Sequence, residues 1–346
     1  MDPLTHTLLG ANLASTRLRE TTRLATAALV IGANLPDVDS ILYFTGHDDL
    51  ALGFRRGWTH GVLALVVLPF LQTALLLLYD RLRPDPQKRV HAGWLLALSA
   101  GAILTHPFLD WLNNYGMRWL MPFRGTWSYG DSVYIMDPWL WLILGAGWLA
   151  PRRATRVTVG IWAVCTAMLV YVVAGRAMVY LPVVAAVALV LLIALLGRPR
   201  VTWIPNAAVA LAAAYIVTRL VIHEAAETHV ERELASRNVM AAPHPIDPTS
   251  WAVVAQTGDV YRFGRYSWRS GLALDDLRIP VADQSSPEWQ AAERDPSIRG
   301  FMTWVRFPWY EVDGRRMFVR DARYAVRRHG RGGFGGVEVQ LPPKYR

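Results

Sequence analysis

The sequence predicts an α-helical multi-span membrane bundle followed by a small, mostly β soluble C-terminal domain. Three observations carry this. First, apolar runs of roughly the 20 residues that a bilayer crossing needs recur through the first two thirds of the chain. Second, charge is unevenly spread: residues 225–346 hold 18 of the 36 Lys/Arg and 15 of the 27 Asp/Glu. Third, that last third carries alternating aromatic and β-branched stretches split by Gly-Asp and Asp-Gly turns. The expected division is a membrane domain at 1–224, a helical connector at 225–239 and a β-rich extramembrane domain at 240–346.

Expected spans lie near 22–43, 58–79, 91–112, 133–150, 156–174, 178–196 and 203–222. Residues 4–16 form a shorter apolar segment, buried among the spans or re-entrant. Gly101, Ala102, Gly145 and Gly147 suit close helix packing in lipid. The opening "MDPLTHTLLG" lacks a basic leader, so no signal peptide is expected. The single Cys165 excludes a disulfide framework or a cysteine metal site. The net charge of +9 would suit nucleic acid, but much of it is arginine between spans, so no nucleic-acid partner is expected.

Those arginines orient the bundle. Arg17, Arg19, Arg23, Arg81, Arg83, Lys88, Arg89, Arg152, Arg153, Arg156, Arg198 and Arg200 fall on one side. Arg55, Arg56, Arg118, Arg124, Arg176 and Arg219 fall on the other. The positive-inside rule makes the first set cytoplasmic and the C-terminal domain external, which in a bacterial inner (cytoplasmic) membrane means periplasmic.

In the C-terminal part, "SWAVVAQTGDVYRFGRYSW" reads as strand, turn at Thr257–Asp259, strand. "WVRFPWYEVDGRRMFVRDARYAV" repeats the scheme around Asp313-Gly314, and 336–341 offers one more short strand. "HEAAETHVERELASRN" (223–238) reads as the helical connector.

Four of the nine histidines follow a threonine: His6, His60, His106 and His229. The first three lie in or beside apolar runs, where ionisable groups are costly and mark function. Asp37 and Asp39 stand at the outer end of the first long span, and His60 opens the next span from that side. His106 and Asp110, four apart, share a helix face, as do Asp2 and His6. The charge pattern therefore sends His6, Asp37, Asp39, His60, His106 and Asp110 to one end of the bundle. Mixed imidazole and carboxylate donors suit zinc, or manganese or iron, as one ion or two. Each threonine could orient its histidine or bond a helix carbonyl.

Blander roles compete. A histidine at a span end can be interfacial, and Asp37 and Asp39 can cap the break at Pro36. Asp137, before Pro138, fits a helix N-cap. Asp131 can be a solvated loop residue. His47 with Asp48 and Asp49 reads as loop, and His229 among Glu227, Glu231 and Glu233 as a solvated face.

The motifs "MDPLTHTLLGA", "LPDVDS", "RRGWTHG" and "LTHPFLDWLNNYGMRWLMPF" together resemble the YdjM/YfhP-type family of membrane-bound, metal-dependent hydrolases. "YGDSVYIMDPWLW" and the aromatic C-terminal domain resemble its longer, YfhP-like branch. The resemblance implies metal ligands at His6, Asp37, Asp39, His60, His106 and Asp110, and it marks Asp131 and Asp137 as a recurring acidic pair. Many members carry His-Arg-Gly before the central Thr-His and Ser after it. Here Arg55, Arg56-Gly57 and Gly61 stand there, and Arg55 cannot act as a base.

The function expected is a metal-dependent hydrolase at the external membrane face. Its metal would activate water, with Asp39 or Asp110 as catalytic proton acceptor. Arg56, Arg118 or Arg124 would steady an anionic substrate, lipid-like or a phosphoester. The same residues would also suit a proton- or metal-ion-conducting transporter. A non-enzymatic scaffold with a structural metal, binding a partner through its β domain, is the third alternative.

Overall fold

The computed structural model describes residues 1–45, 48–149, 155, 160, 203–245, 247–324 and 335–343. The expected spans at 156–174 and 178–196 lie outside the described residues, as do Cys165 and His47.

The chain opens with α1 (Pro3–Leu13), capped at its N-terminus by Asp2, which accepts from the Thr5 amide. Pro3 follows at the first helical position, where its missing N–H costs nothing. Next come α2 (Ala25–Gly32) and a 3₁₀ helix, Leu35–Thr45. The first long span expected at 22–43 is therefore not one straight helix. Its two limbs meet at a 47° bend. Pro36, with no amide hydrogen to give, stands at that break.

After α3 (Asp48–Phe54), which is helical where Asp48 and Asp49 read as loop, come α4 (Val62–Leu82) and α5 (Ala92–Trp111). Then follow α6 (Pro138–Leu149) and α7 (Ile204–Leu234). Among the described residues three helices, α4, α5 and α7, are long and apolar enough to cross a membrane, or four elements if the bent pair counts as one span. Val66, Phe70, Leu75 and Leu78 on α4, and Leu211, Val217 and Val221 on α7, expose large apolar side chains. On a water-soluble protein such patches would be a liability; in a bilayer they face lipid.

Inside the bundle, small residues let backbones meet. A Cβ on Gly147 of α6 would stand 2.2 Å from Ala208 Cβ of α7 and 2.3 Å from Asn12 Oδ1 of α1. Asn12 Nδ2 donates to the Leu8 and Leu144 carbonyls, tying α1 to α6. Leu109, Leu140, Leu144, Ala212 and Ile216 fill the centre of one apolar cluster, and Ala28, Leu29, Leu95 and Leu98 that of another.

The 223–238 segment, read as a helical connector, is helical as far as Leu234 and continues α7 without a break. Its Ala226 and Val230 pack directly on Val239, Trp251 and Val253 of the first sheet. That sheet runs β1 (Val239–Pro243), β2 (Ser250–Thr257), β3 (Val260–Ser267), β4 (Gly271–Pro280), in sequence order and antiparallel throughout. Two short helices follow, α8 (Pro287–Ala292) and α9 (Pro296–Trp304). A three-stranded antiparallel sheet of β5 (Pro308–Asp313), β6 (Arg316–Asp321) and β7 (Gly336–Gln340) ends the described chain. Both expected hairpins form. Thr257 pairs with Val260, and Asp313 with Arg316, leaving two-residue loops led by Gly258 (φ +64) and Gly314 (φ +60). Glycine adopts that left-handed conformation without a Cβ clash.

The C-terminal region sits on the end of the bundle that carries the His/Asp residues. Arg306 Nη1 pairs with Asp131 Oδ2 at 2.5 Å. Arg323 Nη1 donates to the Asn114 carbonyl at 2.6 Å, and Trp127 Nε1 donates to the Thr303 carbonyl. Burial opposes the Arg323 charge, but Asp321 beside it more than offsets this, and its pKa lies above the ordinary arginine value.

Candidate metal centre

Four side chains from three segments converge at this end. The 3₁₀ helix brings Asp37, the turn before α4 brings His60, and one face of α5 brings His106 and Asp110. One donor atom from each lies within 4.8 Å of the other three. His60 Nε2 stands 3.3 Å from Asp110 Oδ2 and 3.9 Å from Asp37 Oδ1. His106 Nε2 stands 3.6 Å from Asp37 Oδ1 and 3.7 Å from Asp110 Oδ2. Donors ~2.1 Å from a shared tetrahedral centre are ~3.4 Å apart, so the spacing fits an ion.

The hydrogen bonding points the same way. Asp37 Oδ1, His60 Nε2 and His106 Nε2 are buried without a hydrogen-bond partner, and Asp110 Oδ2 faces them with only its ion pair to Arg56 Nε. Buried polar atoms in native proteins are nearly always satisfied, so three orphans and a carboxylate oxygen facing one another call for an occupant. The outer nitrogens of the imidazoles are held. His106 Nδ1 lies 2.7 Å from the Ala33 carbonyl, an acceptor only, which places its proton there and leaves the Nε2 lone pair toward the cluster. His60 Nδ1 lies 2.9 Å from Thr59 Oγ1, which itself donates to Asp39 Oδ2 at 2.9 Å. The proton of His60 thus also sits on its outer nitrogen.

Of the expected ligands, Asp39 stands behind His60. Its Oδ2 also accepts from the Arg56 amide, and its Oδ1 is buried with no hydrogen-bond partner. This is the carboxylate–histidine arrangement that orients metal-binding imidazoles. His6 lies beside the group of four. Its ring stacks on His106 with centroids 3.8 Å apart, and its Nε2 is 3.4 Å from Asp110 Oδ1. The three threonines do three jobs: Thr59 orients His60, Thr105 donates to the Ala102 carbonyl, and Thr5 bonds Asp2.

The expected anion-binding arginines are otherwise engaged. Arg56 is buried, its Nε 2.9 Å from Asp110 Oδ2 and its Nη2 3.1 Å from Asp110 Oδ1, a two-pronged clamp. Its Nη1 donates to Asn113 Oδ1 and the Gly116 carbonyl. Arg118 is spent on the carbonyls of Gly53 and Arg55. Arg124 bonds Thr126 at an exposed position. Asp2 caps α1, and Trp141 Nε1 donates to it. Asp137 caps α6 through the Trp139 and Leu140 amides and accepts from Tyr215. Asp131 is the partner of Arg306. His229 is exposed and pairs with Glu233.

Met1 and Tyr115, which the sequence did not single out, complete the surroundings with Arg55 and Arg56. The Met1 amino group pairs with Asp110. Arg55 Nη2 lies 3.8 Å from Asp37 Oδ1, and the Arg56 guanidinium lies 4.4 Å from the Tyr115 ring centroid. A cavity of about 740 Å³ opens beside Arg55 and Arg56, with Tyr43 and Tyr115 from the bundle and Phe301 and Trp304 from the C-terminal region in its walls.

A bundle of apolar spans with a buried His/Asp group at one end defines an integral membrane protein able to hold a metal ion there. The chain belongs to the YdjM inner membrane protein family, whose model matches residues 1–226. It is also similar to the uncharacterized protein YfhP of Bacillus subtilis (strain 168), 27% identical over 115 residues, which cover 33% of this chain and 33% of that protein. The match thus spans about a third of that relative's length. No solved structure matches.

Proposed function

We propose that this protein is a metal-dependent hydrolase of the bacterial inner membrane, with its site and C-terminal region on the periplasmic side. The observation that carries this is the convergence of four buried donor atoms, Asp37 Oδ1, His60 Nε2, His106 Nε2 and Asp110 Oδ2, the first three without a hydrogen-bond partner. Zinc fits this mixed nitrogen and oxygen set, as do manganese and iron. A divalent ion held there would lower the pKa of water toward ~7 and so supply hydroxide at neutral pH. The chain's own residues do the rest. Arg56 fixes Asp110, Asp39 and Thr59 fix His60, and the Ala33 carbonyl fixes His106. The cavity gives a substrate room beside Arg55, whose guanidinium reaches to 3.8 Å from Asp37, and a membrane-level position favours a lipid-like or phosphoester substrate.

The test is metal analysis of the purified full-length protein, paired with phosphoesterase assay. Wild type is expected to carry about one equivalent of divalent ion. His60→Ala with His106→Ala should lose both metal and turnover while keeping its helix content. Metal-free wild type that gains no ion on dialysis against zinc or manganese would end this reading. A second reading, ion conduction, is favoured by Gln72, Thr73 and Ser99, buried in α4 and α5 with unpartnered side-chain oxygens. It predicts metal or proton flux in proteoliposomes, which a hydrolase would not give.

A further inference from the structure

We propose that Arg55 is the residue that selects the ligand of this site, and that the ligand is an amphiphile with a phosphate-type headgroup. Its head would sit in the cavity under the C-terminal region and its chain along the Val38, Ile41 and Phe44 face of the 3₁₀ helix. The proposal rests on the metal reading above.

Elimination among the arginines comes first. Arg56 is locked on Asp110, Arg118 on two carbonyls, and Arg124 bonds Thr126 at an exposed position outside the cavity lining. Arg55 lines the cavity and stays partly exposed. Its guanidinium lies 5.3 Å from the Tyr43 ring centroid and 5.9 Å from that of Tyr115, so aromatic walls hold it in place. Among the described residues its one ion pair, with Asp37, is 3.8 Å long, beyond hydrogen-bond reach, which leaves its donors for a ligand.

Charge then sets the sign of the ligand. Asp37, Asp39 and Asp110 bring three negative charges, and Arg55 and Arg56 two positive ones, with the Met1 amino group beside Asp110 as a third when protonated. A divalent ion turns that balance net positive in either case. A loaded site accordingly attracts an anion, and guanidinium binds phosphate oxygens in pairs.

The 3₁₀ helix supplies the apolar part. With three residues per turn, side chains at i and i+3 eclipse. Asp37, Ser40 and Tyr43 therefore share one face, which starts at the His/Asp group and ends in the cavity wall. Val38, Ile41 and Phe44 share the neighbouring face and are 46%, 60% and 90% exposed. A polar and an apolar track thus run side by side from the metal-binding group outward, the pattern of an amphiphile lying along one element. The 740 Å³ cavity has room for a headgroup and falls within the usual range of ligand sites.

The experiment uses the full-length protein in nanodiscs loaded with Mn²⁺, titrated calorimetrically with decyl phosphate, inorganic phosphate and decyltrimethylammonium. Wild type should bind decyl phosphate and ignore the ammonium compound. Arg55→Gln should weaken decyl phosphate about tenfold or more while holding Mn²⁺ as tightly as wild type or tighter. Arg55→Lys, which keeps the charge beside Asp37, should fall between. Equal decyl phosphate affinity in wild type and R55Q, or R55K no better than R55Q, overturns the role of Arg55. Inorganic phosphate competing as well as decyl phosphate would overturn the amphiphile and leave a free phosphate ester as the ligand. Failure of wild type to bind Mn²⁺ counts against the metal reading itself.

Discussion

His60 is held from behind by a relay in which its outer N–H meets Thr59 and Thr59 meets Asp39. Asp39 and Asp37 should therefore differ sharply although only one residue separates them. Asp39→Asn is expected to keep the metal but weaken it about 10- to 100-fold, as loss of an orienting carboxylate does. Asp37→Asn removes the negative charge of a donor itself and leaves at most a weak carbonyl in its place, and should abolish tight binding. Competition with a chromogenic chelator separates the two. Arg56 has a different weight. It takes a left-handed backbone conformation (φ +51) and covers Asp110 with both prongs of its guanidinium. In the metal-free protein, Arg56→Ala should cost about 3–5 kcal/mol, because it removes the guanidinium from a buried carboxylate and leaves it with the Met1 amino group alone as cationic partner among the described residues. Thermal unfolding in detergent reads this, with Arg124→Ala, at an exposed position, expected within about 0.5 kcal/mol of wild type. Much of this site was legible beforehand. Histidines and aspartates in apolar runs are conspicuous, and the four-residue spacing of His106 and Asp110 fixes a shared face. What was not legible was rank. Adjacent arginines look alike in sequence, and only the fold separates buried Arg56 from Arg55 at the cavity.

At the scale of elements, the spans seen as α4, α5 and α7 were readable because apolar length is a direct physical requirement of a bilayer, whereas the span expected at 133–150 is described only as the 12-residue α6, short of a crossing. The expected 91–112 and the observed Ala92–Trp111 nearly coincide. The expected 203–222 stopped short of Leu234, since hydropathy marks where lipid ends and a helix can continue beyond it. The bend near Pro36 was visible as a break, but the 3₁₀ winding after it was not, because local composition does not distinguish it from an α-helix. Close helix contact at Gly147 gives a direct test. Gly147→Leu should force α1, α6 and α7 apart and destabilise the bundle by about 1–3 kcal/mol or more. The midpoint of urea or heat unfolding in detergent measures it.

At the scale of the whole molecule, the C-terminal region is joined to the bundle twice, covalently through α7 and laterally through Asp131–Arg306 and Arg323–Asn114. No sequence signal announces such long-range pairs, since neither partner carries a local pattern. Asp131 was accordingly read as a loop residue or a member of an acidic pair. The lateral contacts predict that Asp131→Asn and Arg306→Gln are non-additive. A double-mutant cycle should give coupling of about 0.5–3 kcal/mol, and each single variant should speed proteolytic nicking between the two parts. Metal affinity should change little, because neither residue touches the four donors.

The 3₁₀ helix Leu35–Thr45 also behaves as a ruler. Its repeat is a whole number of residues, so lengthening it by three leaves every face where it was and moves Phe44 outward by about 6 Å. Adding one residue would instead rotate everything beyond the insertion by about 120° and turn Tyr43 away from the cavity. An α-helix has no such exact short repeat and would carry Val38 and Phe44 to different sides. Variation in this segment among relatives should therefore come in steps of three residues, each step matched to a longer or shorter chain on the molecule that lies beside it.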